Sequence, residues 1–121
     1  MTISNAETLV MEVLWNRHPL SADEVVSALL KQTDWQEPTV RTLLNRLLKK
    51  GAISAERDGR RYLYRPVLER TDYVHAESKS LIDRFFNGRL SPLVAQFSSR
   101  QKLRKKDIAE LKRLIEELSD D

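Results

Sequence analysis

Apolar residues recur at helical spacing in two stretches near the N-terminus. Each stretch follows a Ser-x-x-Glu capping box, formed first by Ser4 and Glu7 and then by Ser21 and Glu24. The first helix is expected to stop near His18, because a residue that precedes proline disfavours helical geometry. The predicted apolar stripes are Leu9, Val10, Val13 and Leu14 in the first helix and Val25, Val26, Leu29 and Leu30 in the second.

A third helix is predicted over Pro38–Lys50. Its apolar positions recur at i, i+3, i+4, i+7 and i+8, which places them on one face: Val40, Leu43, Leu44, Leu47 and Leu48. Pro38 suits the first helical turn. Lys49 and Lys50 lie where the helix dipole favours cations, and Gly51 supplies a left-handed exit.

After this helix the apolar residues alternate with polar ones instead of recurring at helical spacing, which indicates a β-hairpin. Ile53 and Ala55 alternate with polar residues, and Asp58-Gly59 is a strong signal for a hairpin turn. The pattern predicts a returning strand with Tyr62, Leu63, Tyr64 and Val67, which Pro66 ends. The alternation leaves open which residues of this strand face the core.

Beyond a boundary near Glu69–Asp72 the pattern is helical again. Thr71 and Ser91 are expected to cap the first two of three helices. Their predicted limits are Thr71–Phe86, stopped by Asn87-Gly88, then Ser91–Phe97 and Lys105–Leu118. The fold class is therefore predicted to be mainly α with a small β-hairpin. Residues 1–70 are predicted to form a winged helix-turn-helix and residues 71–121 a helical dimerisation domain.

In a winged helix the third helix enters the DNA major groove and the hairpin tip contacts backbone or minor groove. The outward face of the predicted third helix carries residue types that hydrogen-bond bases. The candidate DNA-binding residues are Thr39, Arg41, Thr42, Asn45, Arg46 and Lys49 on the helix and Arg57, Arg60 and Arg61 at the hairpin. The early positions are expected to contact bases, and Arg46, Lys49 and Lys50 to contact phosphates.

Charge distribution supports this interpretation more than the total charge does. The helix alone fits an ordinary solvated polar face equally well. Residues 36–65, however, contain eight basic and three acidic residues, a balance of +5 in a chain whose total is +3. A basic segment in an otherwise slightly acidic chain is typical of a polyanion-binding site.

Composition argues against several other classes of protein. The chain has 121 residues and no cysteine, so disulfides and thiolate metal sites are excluded. Its two histidines, His18 and His75, have no spaced metal-ligating partners, and no glycine-rich phosphate loop is present. We expect no enzyme activity, no cofactor and no metal. The acidic N-terminal segment does not resemble a signal peptide, and a cytoplasmic location is expected.

The segment Thr39-Val40-Arg41-Thr42-Leu43-Leu44-Asn45-Arg46-Leu47-Leu48-Lys49-Lys50-Gly51 resembles the penicillinase-repressor family of BlaI/MecI type. The resemblance continues from Ile3 through Ile108-Ala109-Glu110-Leu111. It implies a dimeric repressor of β-lactamase or related antibiotic-response genes that binds a palindromic operator resembling TACA…TGTA. Its motif match implies DNA-contacting roles for Thr39, Arg41 and Arg46.

The resemblance also implies relief of repression by C-terminal cleavage, signalled by a membrane-bound sensor protease. Three places depart from the family pattern. Pro38 replaces a basic residue, Gln96-Phe97 stands at the family's Asn-Phe cleavage bond, and the last helix, at Arg104-Lys105-Lys106-Asp107, has no Ser or Asn cap. A related copper-sensing branch uses clustered cysteines, which this chain lacks.

The last predicted helix has an apolar seam at alternating spacings of three and four, typical of a helix that pairs with another. The candidate dimerisation residues are Ile108, Leu111, Ile115 and Leu118, together with Leu81 and Phe85 of the preceding long helix. Packing of this seam on its own domain is the alternative. For the function, the alternative is a winged helix that contacts only proteins.

Overall fold

The computed structural model describes residues 1–100 and 103–119. Its elements in chain order are α1 (Asn5–Asn16), β1 (Leu20–Ser21), α2 (Ala22–Leu30), α3 (Glu37–Lys50), β2 (Ile53–Asp58), β3 (Arg61–Pro66), α4 (Arg70–Phe86), α5 (Leu90–Arg100) and α6 (Lys105–Ser119). The chain divides into two compact units, Met1–Val74 and His75–Asp121, with the division inside α4.

Both predicted capping boxes are confirmed. The Ser4 Oγ accepts a hydrogen bond from the Glu7 backbone N–H at 3.1 Å, and a Glu7 carboxylate oxygen accepts from the Ser4 N–H at 2.9 Å. Ser21 and Glu24 form the same reciprocal pair at the start of α2. Each box satisfies backbone donors that a helix N-terminus leaves without partners, which explains why these two helices begin where they do.

The third helix ends as predicted at Gly51, which adopts a positive φ of 76°. Such a conformation strains residues that carry a Cβ, so glycine suits this helix end. No side chain caps the start of α3, and Pro38 lies in its first turn. The leucine-rich face is buried: Val40, Leu43, Leu44 and Leu47 lie in the core.

The hairpin belongs to a three-stranded antiparallel sheet with the order β1-β3-β2. Leu20 of β1 pairs with Tyr64 of β3. The sequence did not predict this pairing, because β1 has only two residues. Asp58 pairs with Arg61, so the turn consists of Gly59 and Arg60 and lies one residue later than predicted. The open question of the strand faces is also answered, because Tyr64 packs against the core.

The core of the first unit lies between α1, α2, α3 and the sheet. Its largest fully buried side chains are Met11, Leu14, Leu29, Leu44, Leu47, Val10, Val25 and Val40. Two predicted stripe residues, Leu9 and Leu30, are instead 38% and 42% exposed. They lie at the edges of their apolar stripes, where a small rotation of the helix about its axis decides whether a side chain is buried.

The three C-terminal helices carry no buried residue among those described. The predicted stop at Asn87-Gly88 is confirmed, since both residues have positive φ. Two predicted caps are wrong: α4 begins at Arg70 and α5 at Leu90, so Thr71 and Ser91 lie inside the first turns. In the described ranges no helix is long and apolar enough to cross a membrane.

Candidate nucleic-acid interface

The helix α3 presents a continuous polar face opposite its buried leucines. All six candidate residues of this helix are exposed: Thr39, Arg41, Thr42, Asn45, Arg46 and Lys49. Thr39, Thr42 and Arg46 also line one shallow depression of about 330 Å³. The burial of one face by the core therefore orients the other toward solvent, as a groove-reading helix requires.

The hairpin carries its three candidate arginines at the tip, and all three are exposed. The Arg57 Nε donates to the Gly59 carbonyl at 3.1 Å, which braces the turn. Arg61 lies 3.4 Å from Asp58, with its side chain 60% exposed. These contacts are local and leave the positive charge of the tip facing solvent.

Residues of the hairpin and of α3 line the same cleft of about 490 Å³. Arg41 of α3, Arg60 and Arg61 of the hairpin, and Asp23 at the start of α2 all line it. Tyr62 and Tyr64 of β3 line it as well. The tertiary structure thus unites candidates that lie about twenty residues apart in the chain.

Arg41 is held by two carboxylates within this cleft. Its Nε donates to Glu37 at 2.8 Å, and its Nη2 donates to Asp23 at 2.6 Å. The hydrogen bond to Glu37, followed by that to Asp23, raises the pKa of Arg41 above its ordinary value, so the guanidinium stays charged. The sequence predicted Arg41 as a base reader but did not indicate Asp23 as its neighbour.

Lys50 has a different surrounding from the other basic residues of α3. Its Nζ donates to a Glu7 carboxylate oxygen at 2.6 Å and to the Thr2 carbonyl at 2.8 Å. The Glu7 side chain is only 3% exposed. The expected phosphate contact by Lys50 therefore gives way to an ion pair that ties the end of α3 to the start of α1.

The candidate dimerisation residues lie on helices of the second unit. Phe85 is 69% exposed and Leu118 is 73% exposed, and the other members of the set described as exposed are Leu81, Ile108 and Ile115. Leu111 is half-buried. Three of the set, Leu111, Ile115 and Leu118, line an apolar groove of about 780 Å³ together with residues of α5. Exposed apolar area of this extent is typical of an interaction surface.

The Gln96-Phe97 bond lies within α5. Phe97 is 49% exposed, and the Gln96 carbonyl accepts a hydrogen bond from Ser99. The helix must unwind locally around this bond before the bond can enter the active site of a protease. Cleavage at this place, and the sensor protease that would signal it, stay predictions.

Comparison with known proteins identifies the family of this chain. The model of the penicillinase repressor family matches residues 3–117. The chain belongs to the penicillinase repressor family. The penicillinase repressor of Bacillus licheniformis is 37% identical over 115 residues, which are 95% of this chain and 90% of that protein. The methicillin resistance regulatory protein MecI of Staphylococcus aureus (strain N315) is 33% identical, covering 93% of this chain and 92% of that protein.

A solved structure supports the same assignment for the first unit. The monomeric form of B. licheniformis BlaI in complex with the blaP half-operator superposes with a TM-score of 0.54 at 38% identity. The match covers 60% of this chain and 89% of that one. Family and fold together confirm the predictions of a winged helix and of a DNA-binding transcriptional repressor of the antibiotic-resistance type.

Proposed function

We propose that this repressor binds a palindromic DNA operator as a homodimer, with α3 of each copy in a major groove. The observation that carries the proposal is the two-sided character of α3. Four apolar residues fasten it to the core, and its opposite face is polar, exposed and flanked by the basic hairpin. The operator is proposed to resemble TACA…TGTA and to control β-lactamase or related antibiotic-response genes.

Each class of residue has a distinct role in this proposal. Arg41 and Asn45 offer the hydrogen-bond patterns that recognise guanine and adenine, and Thr39 and Thr42 suit base edges or thymine methyl groups. Arg46 and Lys49 contact phosphates and set the position of the helix on the duplex. The hairpin arginines, Arg57, Arg60 and Arg61, contact the neighbouring backbone or minor groove.

Selection of bound duplexes from a random DNA pool tests the sequence preference directly. We expect a two-fold symmetric sequence whose half-sites lie about 34–36 Å apart, or a multiple of that distance. Binding should weaken steeply as salt rises, because phosphate contacts release counterions. A chain that selects no sequence and shows a flat salt response would instead be a module for protein contacts.

Substitution of Arg41 tests the reading role of α3. Arg41→Ala is expected to lower affinity for each half-site by about five- to one-hundred-fold, the range for one lost bidentate base contact, and to lower affinity for the whole selected duplex by more, because the homodimer loses two such contacts. Affinity for a scrambled duplex should change less. Equal losses on both duplexes would show that Arg41 contacts phosphate and reads no base.

The dimer is proposed to form through the α6 seam, because burial of exposed leucine and isoleucine side chains contributes roughly 1.5–3 kcal/mol each. One copy reading one half-site would bind weakly, and joining two copies brings both readers to the operator. The relative solved with a half-operator is described as a monomeric form, which agrees with one winged helix per half-site.

Ile115→Asp tests the seam, and Ala109→Asp is its matched control. Both variants add one negative charge to α6, but position 109 lies on the opposite side of the helix from the seam. We expect Ile115→Asp to sediment as a monomer at micromolar concentration and to lose operator binding, and Ala109→Asp to do neither. A dimer that survives Ile115→Asp would refute this seam.

A further inference from the structure

Tyr62 lies on the side of the hairpin that faces the core, but beyond the place where the core ends. Side chains alternate between the two sides of a strand, so Tyr62 and Tyr64 of β3 share one side. Their partners across the ladder, Arg57 and Ala55, lie on that side as well. Tyr64 packs against the core, whereas Tyr62 is 51% exposed. The part of the hairpin that projects past the core therefore presents an aromatic ring to solvent.

The hydroxyl of Tyr62 has no hydrogen-bond partner in the part of the chain that the structure describes. By contrast, the hydroxyl of Tyr73 in the same unit lies 3.2 Å from the Thr8 hydroxyl. A phenol donates one hydrogen bond through its O–H and brings no positive charge with it. Tyr62 thus offers a neutral donor to a partner outside this chain.

The cleft that Tyr62 lines favours an anionic partner on the side of the hairpin. Its charged lining residues are Arg41, Arg60, Arg61, Asp23 and Glu24. Both carboxylates are already engaged, since Asp23 accepts from Arg41 at 2.6 Å and Glu24 accepts from the Ser21 backbone N–H at 3.0 Å. Arg60, two positions from Tyr62, forms no ion pair within the described ranges. An anion is therefore attracted to the hairpin side of the cleft, where the Tyr62 ring lies.

We propose that Tyr62 is a further DNA-binding residue, whose hydroxyl donates a hydrogen bond to a backbone phosphate of the operator. The proposal rests on the function proposed above, in which α3 enters the major groove and the hairpin contacts the neighbouring backbone. Tyrosine side chains are among the groups that contact phosphate oxygens in protein–DNA complexes. Such a contact positions the hairpin and reads no base, because every nucleotide step carries a phosphate. It also neutralises no phosphate charge, since the donor is uncharged.

Tyr62→Phe removes only the hydroxyl and keeps the ring. We expect affinity to fall about tenfold for each half-site, the lower end of the range for a hydrogen bond to a charged group, and about a hundredfold for a duplex that two copies bind. The loss should be similar on the selected and on a scrambled duplex. The slope of log affinity against log salt concentration should stay that of the native chain, whereas Arg60→Met should reduce it by about 0.9 for each copy.

Tyr73→Phe and Tyr64→Phe are matched controls, because each removes one tyrosine hydroxyl from the same unit. Tyr73 bonds to Thr8 of α1, and Tyr64 lines the cleft but packs against the core. Fluorescence anisotropy of labelled duplexes measures all three variants, and neither control should change the affinity. The proposal is overturned if Tyr62→Phe binds as tightly as the native chain, if only the selected duplex shows a loss, or if either control loses as much.

Duplexes in which a neutral methylphosphonate replaces one phosphate at a time locate the contact. At one position of each half-site, Tyr62→Phe should lose less affinity than the native chain does, because the contact that the methylphosphonate weakens is already missing. Equal losses for the two proteins at every position would show that the hydroxyl meets no phosphate. A native chain that selects no sequence and responds weakly to salt would refute the DNA-binding function itself, which is a different result.

Discussion

Replacing Lys50 by Met is expected to destabilise the winged-helix unit, although Lys50 lies at the exposed end of a helix. The Nζ of Lys50 is 2.6 Å from a carboxylate oxygen of Glu7, which is almost fully buried. The other Glu7 oxygen, Oε2, has no hydrogen-bond partner among the described residues. Methionine keeps the apolar stem but leaves a buried carboxylate with only the Ser4 backbone donor.

The size of the effect follows from the different burial of the two charged partners, Lys50 and Glu7. Removal of one partner from a fully buried ion pair costs about 3–5 kcal/mol, because the other charge loses its compensation. The Lys50 side chain is 35% exposed, so water reaches its side of the pair. We therefore expect a loss of about 2 kcal/mol, below the fully buried range and above the value of an exposed pair.

Urea denaturation of the full chain at pH 7 measures this loss. Both tryptophans, Trp15 and Trp35, belong to the winged-helix unit, so their fluorescence follows the unfolding of that unit. Lys49→Met is the matched control, with the same chemical change one residue earlier on the exposed face. Equal stability of the two variants would refute the reasoning. So would an undiminished loss from Lys50→Met in a chain that already carries Glu7→Gln.

Three further predictions concern the same unit. Lys49→Met is expected to reduce the slope of log affinity against log salt concentration by about 0.9 for each copy, or about 1.8 for the homodimer, because each Lys49 would neutralise one phosphate. Lys50→Met should leave the slope unchanged, since Lys50 is paired with Glu7. Salt titrations of operator binding compare the two variants, and equal slopes would show that Lys50 also contacts a phosphate. Burial raises the pKa of Glu7, but hydrogen bonds from Lys50 and Ser4 outweigh it and hold that pKa below its ordinary 4.5. The stability from this carboxylate is thus fully present above pH 4.5 and is lost as pH falls through the lower folded pKa, so the advantage of the native chain over Glu7→Gln should shrink on acidification in urea titrations; a constant difference would contradict the assignment. Ser21→Ala should cost about 1 kcal/mol by removing the α2 cap, measured against the exposed Ser54→Ala, and indistinguishable midpoints would show that the cap contributes nothing.

Much of the first unit was determined by the sequence alone, because its signals are local. A capping box joins residues three positions apart, and an apolar stripe repeats within two helical turns, so both can be read without a tertiary structure. The limits of α3 and the exposed positions of its polar face follow from that pattern. The family motif is local in the same sense, since it lies within the thirteen residues from Thr39 to Gly51.

Only the tertiary structure decided which charged side chains meet. Lys50 reaches Glu7 across forty-three positions, and Arg41 reaches Asp23 across eighteen. The pairing of β1 with β3 is of the same kind, since two residues are too few to show an alternating pattern. Such contacts depend on how the helices pack around the core. Lysines 49 and 50 are alike in sequence, yet the packing of α1 against α3 gives only one of them a buried carboxylate.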